Sequence, residues 1–238
     1  MKTQRYYDEF SQGYDRLRGH PYHRLVDRLE LQILGPLIRD LEVLDVATGT
    51  GLLLMAMHEQ ARCAVGLDLS GGMLRHARRR GLRTVQGSAE ALPFPDESFD
   101  VACCFKAFPH LDAPTSALEE MRRVCRPGGA VVLELYNPRS LRGLLRRHGP
   151  RRPVSTAVHE GQVTTRFDTL ETLGQLLPAG LRPESVHGIR TLTPAGRMLS
   201  WPMLGRALCL AETALSARPR LFGLAGFLVV TLRRTEVP

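Results

Sequence analysis

The segment Asp45-Val46-Ala47-Thr48-Gly49-Thr50-Gly51 constrains this chain more than any other. It follows the apolar run Leu41 to Val46, which reads as a strand, and precedes Leu52 to Gln60, which reads as a helix. Small residues at a strand-to-helix turn let the backbone come close to a ligand. The amides that open the helix lack intrahelical acceptors and offer donors to an anionic group. A tight reversal with no ligand would look the same. The next apolar run, Ala64 to Asp68, ends in an acid 23 residues after Asp45, where a carboxylate can accept hydrogen bonds from both hydroxyls of a ribose. Turn and acid together predict a nucleoside-bearing cofactor.

Two other nucleotide motifs do not fit. A dinucleotide turn needs glycine at its first, third and sixth positions, and counting from Gly49 puts Leu54 at the sixth. A P-loop needs Gly-Lys-Ser/Thr, whereas Gly51 is followed by Leu52-Leu53.

The strand and helix alternation repeats downstream. Gly72 to Arg80 has helical spacing with Met73, Leu74 and Ala77 on one face, and Thr84-Val85, Phe99 to Phe105 and Ala130 to Tyr136 read as further strands. A helix from about Ser116 to Cys125 separates the last two, with Ser116 and Glu119 as a capping box and Pro127-Gly128-Gly129 as its stop. Strands that are apolar almost throughout, spaced by helices, predict an α/β fold with a doubly wound parallel sheet covered on both faces. Beyond Tyr136, helices are expected over Pro138 to His148 and Asp168 to Leu177, and late strands over Ser185 to Leu192 and Gly226 to Arg234. The stretch from Pro194 to Ala225, rich in Leu and Met and holding Trp201, is longer than an ordinary connection and is expected to form a substrate-side insert. With no repeat and no linker, residues 1–238 read as one domain, residues 1–35 forming an N-terminal lid.

Composition narrows the classes. Hydrophobic residues at 43% and charged residues at 24% exclude a disordered chain. Five cysteines without a CxxC pair indicate neither a disulfide framework nor a metal site. No apolar run reaches the roughly 20 residues of a bilayer span and no secretory leader is seen, so a cytoplasmic location is expected. The net charge of +8 comes almost wholly from arginine, which reads as a solvated surface. A local cluster, Arg139, Arg142, Arg146, Arg147, Arg151 and Arg152, either forms a solvated helix face or meets an anionic substrate, RNA or a membrane surface.

Taken together, these motifs resemble the class I S-adenosylmethionine-dependent methyltransferases, in particular the group that includes the ubiquinone and menaquinone C-methyltransferases. Val43 to Gly51 resembles that family's first motif, Gly66 to Ser70 through Met73-Leu74 its second, Ala89 to Asp96 through Phe99-Asp100 its third, and Arg126-Pro127-Gly128-Gly129 the turn before strand five. The resemblance covers about Tyr6 to Tyr136. It implies a Rossmann-like seven-stranded sheet with a reversed last strand and a helical insert before that strand. It implies S-adenosylmethionine as cofactor, its methionine part held by Asp45, Ala47, Gly49 and Gly51, its ribose by Asp68, and its adenine by Met73, Ser88 and Ala89, with Thr48, Leu69 and Glu90 also in the cofactor site and Tyr14 as a lid tyrosine. Ala47 stands where many members carry glycine, and Ser88 where an aspartate is common.

Methyl transfer from a sulfonium is an in-line displacement, so positioning dominates and a general base is dispensable. His110, in the loop after strand four, is the candidate base, or else a loop histidine that packs or caps. Tyr136 and Asn137, after strand five, either line the acceptor pocket or form a turn. The expected activity is methylation, on oxygen or carbon, of a small lipophilic or quinone-like acceptor. The competing classes are an RNA methyltransferase and a catalytically silent cofactor-binding module. Nucleic acid is the less favoured partner, since no aromatic residue is interleaved with the arginine cluster.

Overall fold

In the computed structural model, residues 2–140, 165–193 and 196–236 are described. Seven strands form one sheet: β1 (Glu42–Val46), β2 (Cys63–Asp68), β3 (Thr84–Gln86), β4 (Phe99–Cys104), β5 (Cys125–Tyr136), β6 (Leu181–Ile189) and β7 (Phe227–Arg234). Their order is β3-β2-β1-β4-β5-β7-β6. The first five run parallel, and β7 runs antiparallel to both β5 and β6, giving the expected reversed last strand.

The N-terminal region, expected as a lid over residues 1–35, forms two long helices, α1 (Lys2–Arg18) and α2 (Pro21–Ile38). They are followed by α3 (Leu52–His58), α4 (Gly71–Arg79), α5 (Pro114–Val124), α6 (Leu170–Leu176) and α7 (Pro202–Ser216). Two buried clusters fill the two faces of the sheet. One gathers Leu118, Met121 and Leu173 of α5 and α6 against Leu44, Ala102 and Val131. The other gathers Leu25, Leu29, Leu54 and Met57 of α2 and α3 against Val43, Val101 and Val132. Successive residues of a strand point to opposite faces, so strands buried on both sides become apolar almost throughout.

Several boundaries differ from expectation. Helix α5 opens at Pro114, two residues early, with Ala113 ahead of it and no side-chain cap. Proline suits a first helical position because its missing N–H needs no partner there, so Ser116 and Glu119 do not form the expected box. The helix ends at Val124 because Cys125 is already extended, and Pro127-Gly128-Gly129 therefore stops nothing. It forms a bulge in β5, whose pairing with β4 passes from Phe99↔Cys125 to Val101↔Ala130. Gly128 has φ 76°, and a Cβ on Gly129 would lie 2.6 Å from the Asp100 carbonyl. Strand β6 starts four residues before the expected Ser185 and ends at Ile189, since Arg190 takes φ 61°. Of the expected helix at Pro138 to His148, residues 138–140 form a turn and the rest lies outside the described residues, as do Arg142, Arg146, Arg147, Arg151 and Arg152 of the arginine cluster.

Candidate active site

The turn after β1 is fixed onto the end of β2. The Thr48 N–H donates to the Leu67 carbonyl, the Gly49 N–H to Asp68 Oδ2, and the Gly51 N–H to the Thr48 carbonyl. These three amides belong to the turn ahead of the helix and are engaged within the protein. The two glycines also divide their work. Gly49 has φ 59° and nothing within 4 Å of where a Cβ would stand. Gly51 has φ 80°, and a Cβ there would meet Leu82 Cδ1 at 2.6 Å and Ala77 Cβ at 3.0 Å. Gly51 therefore serves the close approach of α4 and lies outside the cleft wall, while Gly49 faces open space. Ala47 adopts φ 59°, the left-handed conformation that suits the glycine expected there.

Asp45, the penultimate residue of β1, is almost wholly buried, at 3% exposure. Thr48 Oγ1 donates to its Oδ2 at 2.6 Å and Cys103 Sγ lies 3.7 Å from Oδ1. Burial raises this carboxyl to about 7, partly offset by the Thr48 bond and the Lys106 charge. Asp68 accepts from the Ser70 N–H on Oδ1 and from the Gly49 N–H on Oδ2, each at 2.8 Å. Burial also shifts this carboxyl upward, against those two bonds. A carboxylate offers about four acceptor positions, so each oxygen keeps capacity for one more donor.

Helix α1 crosses this region, held by two carboxylates seven residues apart. Asp8 Oδ1 accepts from Ser70 Oγ at 2.6 Å and from the Gly72 N–H at 2.7 Å, at the start of α4. Asp15 accepts from Thr50 Oγ1 at 2.7 Å and pairs with Arg80. The same spacing relates Tyr7 and Tyr14, and both rings line the cleft. Sequence reasoning missed Tyr7, Asp8 and Asp15, although a seven-residue spacing on a helix places each pair on one face.

Between these elements lies a cleft of about 340 Å³ at the carboxyl edge of the sheet. Of the expected residues, Tyr14, Asp45, Ala47, Thr48, Gly49, Asp68, Leu69, Met73, Ser88, Ala89, Glu90 and His110 line it. Ser88 Oγ accepts from the Glu90 N–H at 3.2 Å, and Glu90 Oε1 accepts from the Ala113 N–H at 2.9 Å, which fixes the loop beneath the expected adenine. His110 stands with Nε2 3.5 Å from Tyr136 Oη and Nδ1 3.3 Å from Thr165 Oγ1. Tyr136 itself sits behind His110, its ring against Phe227 and Phe167.

Asn137 is not brought to the cleft. Its amide donates to the Gly223 and Ala225 carbonyls and its Oδ1 accepts from the Arg139 N–H, so it ties the end of β5 to the segment before β7. The insert likewise adds nothing to the cleft wall among the described residues. It packs on α2 and β6, and Glu212 holds the loop after β6 through Thr191, Leu192 and Thr193.

A charged floor that was not anticipated lies beside Tyr14. Lys106 lines the cleft with φ 60°, and its ammonium pairs with Asp27 at 2.9 Å and with buried Glu30. Those acids hold the ammonium protonated well above the usual lysine range, against the effect of burial. Arg18 pairs with Asp27 from the other side. Glu134 of β5 is fully buried, neither of its oxygens has a hydrogen-bond partner, and burial pushes its carboxyl well above the ordinary range.

The cleft suits a nucleoside with an amino-acid tail: Gly49 leaves open the space a side chain would fill, Asp68 keeps acceptor capacity, and Leu69, Met73 and Ala89 present apolar surface. Comparison with known proteins agrees. Residues 44–133 match the family described as a methyltransferase domain. A demethylmenaquinone methyltransferase of Mycobacterium sp. (strain JLS) is 39% identical over 92 residues, which are 39% of this chain and 40% of that protein. The chain thus spans about two fifths of the length of such curated relatives. Among solved structures, a SAM-dependent methyltransferase from Thermotoga maritima superposes with a TM-score of 0.71 at 23% identity, covering 98% of this chain and 99% of that one. One from Mesorhizobium loti gives 0.62 at 22% identity, covering 92% and 100%. Ordered motifs, sheet order and cleft converge with these matches: residues 44–133 match a methyltransferase domain, and the chain has the fold of the S-adenosylmethionine-dependent methyltransferases.

Proposed function

We propose that the chain transfers the methyl group of S-adenosylmethionine to a small, lipophilic or quinone-like acceptor. The observation that carries this reading is the junction of two features in one cleft. The same cleft is lined by Asp45, Gly49 and Asp68, which form a cradle, and by His110 and Lys106, which stand among the aromatic residues Tyr7, Tyr14 and Phe105. The similarity to demethylmenaquinone methyltransferases supports the acceptor class.

In this reading Asp45, with the turn at Ala47, Thr48 and Gly49, holds the methionine part, Asp68 the ribose, and Leu69, Met73, Ser88, Ala89 and Glu90 the adenine. The bound cofactor supplies an electrophilic methyl group on a sulfonium. The protein fixes the acceptor in line with it, and such orientation lowers a barrier by about 7–11 kcal/mol. His110 is placed to take the acceptor's proton, a contribution of about 10²–10⁴-fold, and its pairing with Tyr136 orients the ring. Helix α1, docked through Asp8 and Asp15, closes the cleft with Tyr7 and Tyr14 and keeps water from the reacting atoms.

Incubation with methyl-labelled cofactor and a lysate separated into lipids, small metabolites and RNA tests the assignment. Label in the lipid or small-metabolite fraction is the expected result. Label in RNA alone would replace the acceptor class, and no label in any fraction, with cofactor bound, would leave a silent cofactor-binding module.

A further inference from the structure

Helix α7 is built inside out. Its inward face consists of Gly205, Leu208, Cys209, Glu212 and Ser216, with a glutamate and a serine fully buried. Its outward face carries Met203, Ala207, Leu210 and Ala214 at helical spacing, with Met203 88% and Leu210 75% exposed. Trp201, directly ahead of the helix, is 60% exposed, and Leu224, just beyond it, is 56% exposed. A surface helix of a water-soluble protein normally presents the opposite pattern, and an apolar patch of this extent marks a contact surface.

The charge around the stripe selects the occupant. Arg206 lies within it, between Met203 and Leu210, and Arg197 and Arg218 flank the helix, all three exposed. Glu212 is the sole acid from residue 190 to 224, and its carboxylate is spent inward on Thr191, Leu192 and Thr193. Two copies of the chain meeting through this face would bring arginines together without an exposed acid from this stretch to pair with them. An anionic lipid surface satisfies both halves of the pattern: it attracts arginine side chains and accepts the apolar stripe and an interfacial tryptophan. We propose that α7, with Trp201 at its head, docks the protein on an anionic membrane surface, leaving the cofactor cleft free because no described residue of this segment lines it.

Trp201 is the chain's single tryptophan, so its emission reports this face directly. The full chain is titrated with vesicles of mixed phosphatidylglycerol and phosphatidylcholine, with pure phosphatidylcholine vesicles, and with tRNA. Expected are a blue shift and loss of acrylamide quenching with the anionic vesicles. Met203→Ser with Leu210→Ser should weaken that binding at least about tenfold, and Arg206→Glu about tenfold. Cofactor affinity, measured on the same samples, should be unchanged. Both serine substitutions fall on exposed side chains, so the double variant keeps its fold. An unshifted spectrum at saturating anionic lipid would overturn the proposal, as would vesicle binding undiminished in the double variant. A shift that follows protein concentration without lipid would assign the face to a second copy, and a shift with tRNA alone would assign it to nucleic acid, each against the proposal. None of these outcomes depends on methyl transfer, so they fail or succeed apart from the proposed activity.

Discussion

On the proposed assignment, Asp45 should couple cofactor binding to pH. In the free protein its carboxyl sits at about 7, because burial outweighs the hydrogen bond from Thr48. The amino group of the cofactor's methionine part is cationic and favours the ionised carboxylate, so below pH 7 binding must first expel a proton. With one coupled group the apparent dissociation constant rises by 1 + 10^(pKa − pH), about elevenfold at pH 6 and about 1.1-fold at pH 8, a tenfold span worth about 1.4 kcal/mol. Calorimetry in two buffers of different ionisation enthalpy measures both the affinity and the protons released, expected to be about 0.9 per site at pH 6 and about 0.1 at pH 8. Asp45→Asn binds weakly and keeps only the ligand's own titration, so the difference between the two proteins isolates the carboxyl. The sign for folding is opposite to that of a salt-bridged acid. A raised carboxyl binds its proton more tightly in the folded state, so this group's contribution is fully present below the unfolded value of about 3.8 and is lost as pH rises through about 7. Affinity flat from pH 6 to 8 in the wild type, or a slope identical in Asp45→Asn, would refute the reasoning.

Three further outcomes are expected. Gly49→Ala should cost about 1 kcal/mol of stability through its left-handed backbone yet weaken cofactor binding about tenfold, whereas Gly51→Ala, which strikes Leu82 and Ala77, should cost roughly 3 kcal/mol in urea unfolding. Equal stability losses would remove the division of labour between the two glycines. Glu134→Met should stabilise the protein by about 1–3 kcal/mol. The gain should grow as pH rises above the ordinary glutamate value, because the unfolded wild-type chain releases there a proton that the folded protein still holds; a less stable variant at pH 8 would show that the buried acid is paired. Asp8→Ala with Asp15→Ala should speed amide exchange across α1 while leaving β1 and β4 protected, and should raise the cofactor dissociation constant; unchanged exchange in α1 would show that other contacts hold the helix.

What was legible in the sequence follows from locality. The turn at residues 45–51, Asp68 and the alternation of apolar strands with helices are short-range patterns, and they set the parallel half of the sheet and most of the cleft wall. What escaped depends on partners distant in the chain. Asp8 and Asp15 become clamps only when Ser70, Gly72, Thr50 and Arg80 are brought beside them. Gly51 resembles a ligand-binding glycine until Leu82 and Ala77 are seen packed on it. Pro127-Gly128-Gly129 looks like a helix stop because its local chemistry fits one, yet its place is set by register against β4. Asn137 follows a strand end at the site's edge, but its amide is taken by carbonyls 86 and 88 residues away.

The measurement that bears most directly on the cofactor assignment is a crystal structure of the full chain with S-adenosylhomocysteine bound. The account predicts the sugar hydroxyls within hydrogen-bond distance of the Asp68 carboxylate, the amino-acid tail over Gly49, and the base against Met73. A ligand seated elsewhere, or Asp68 turned away from the sugar with its bonds to Gly49 and Ser70 unchanged, would contradict it.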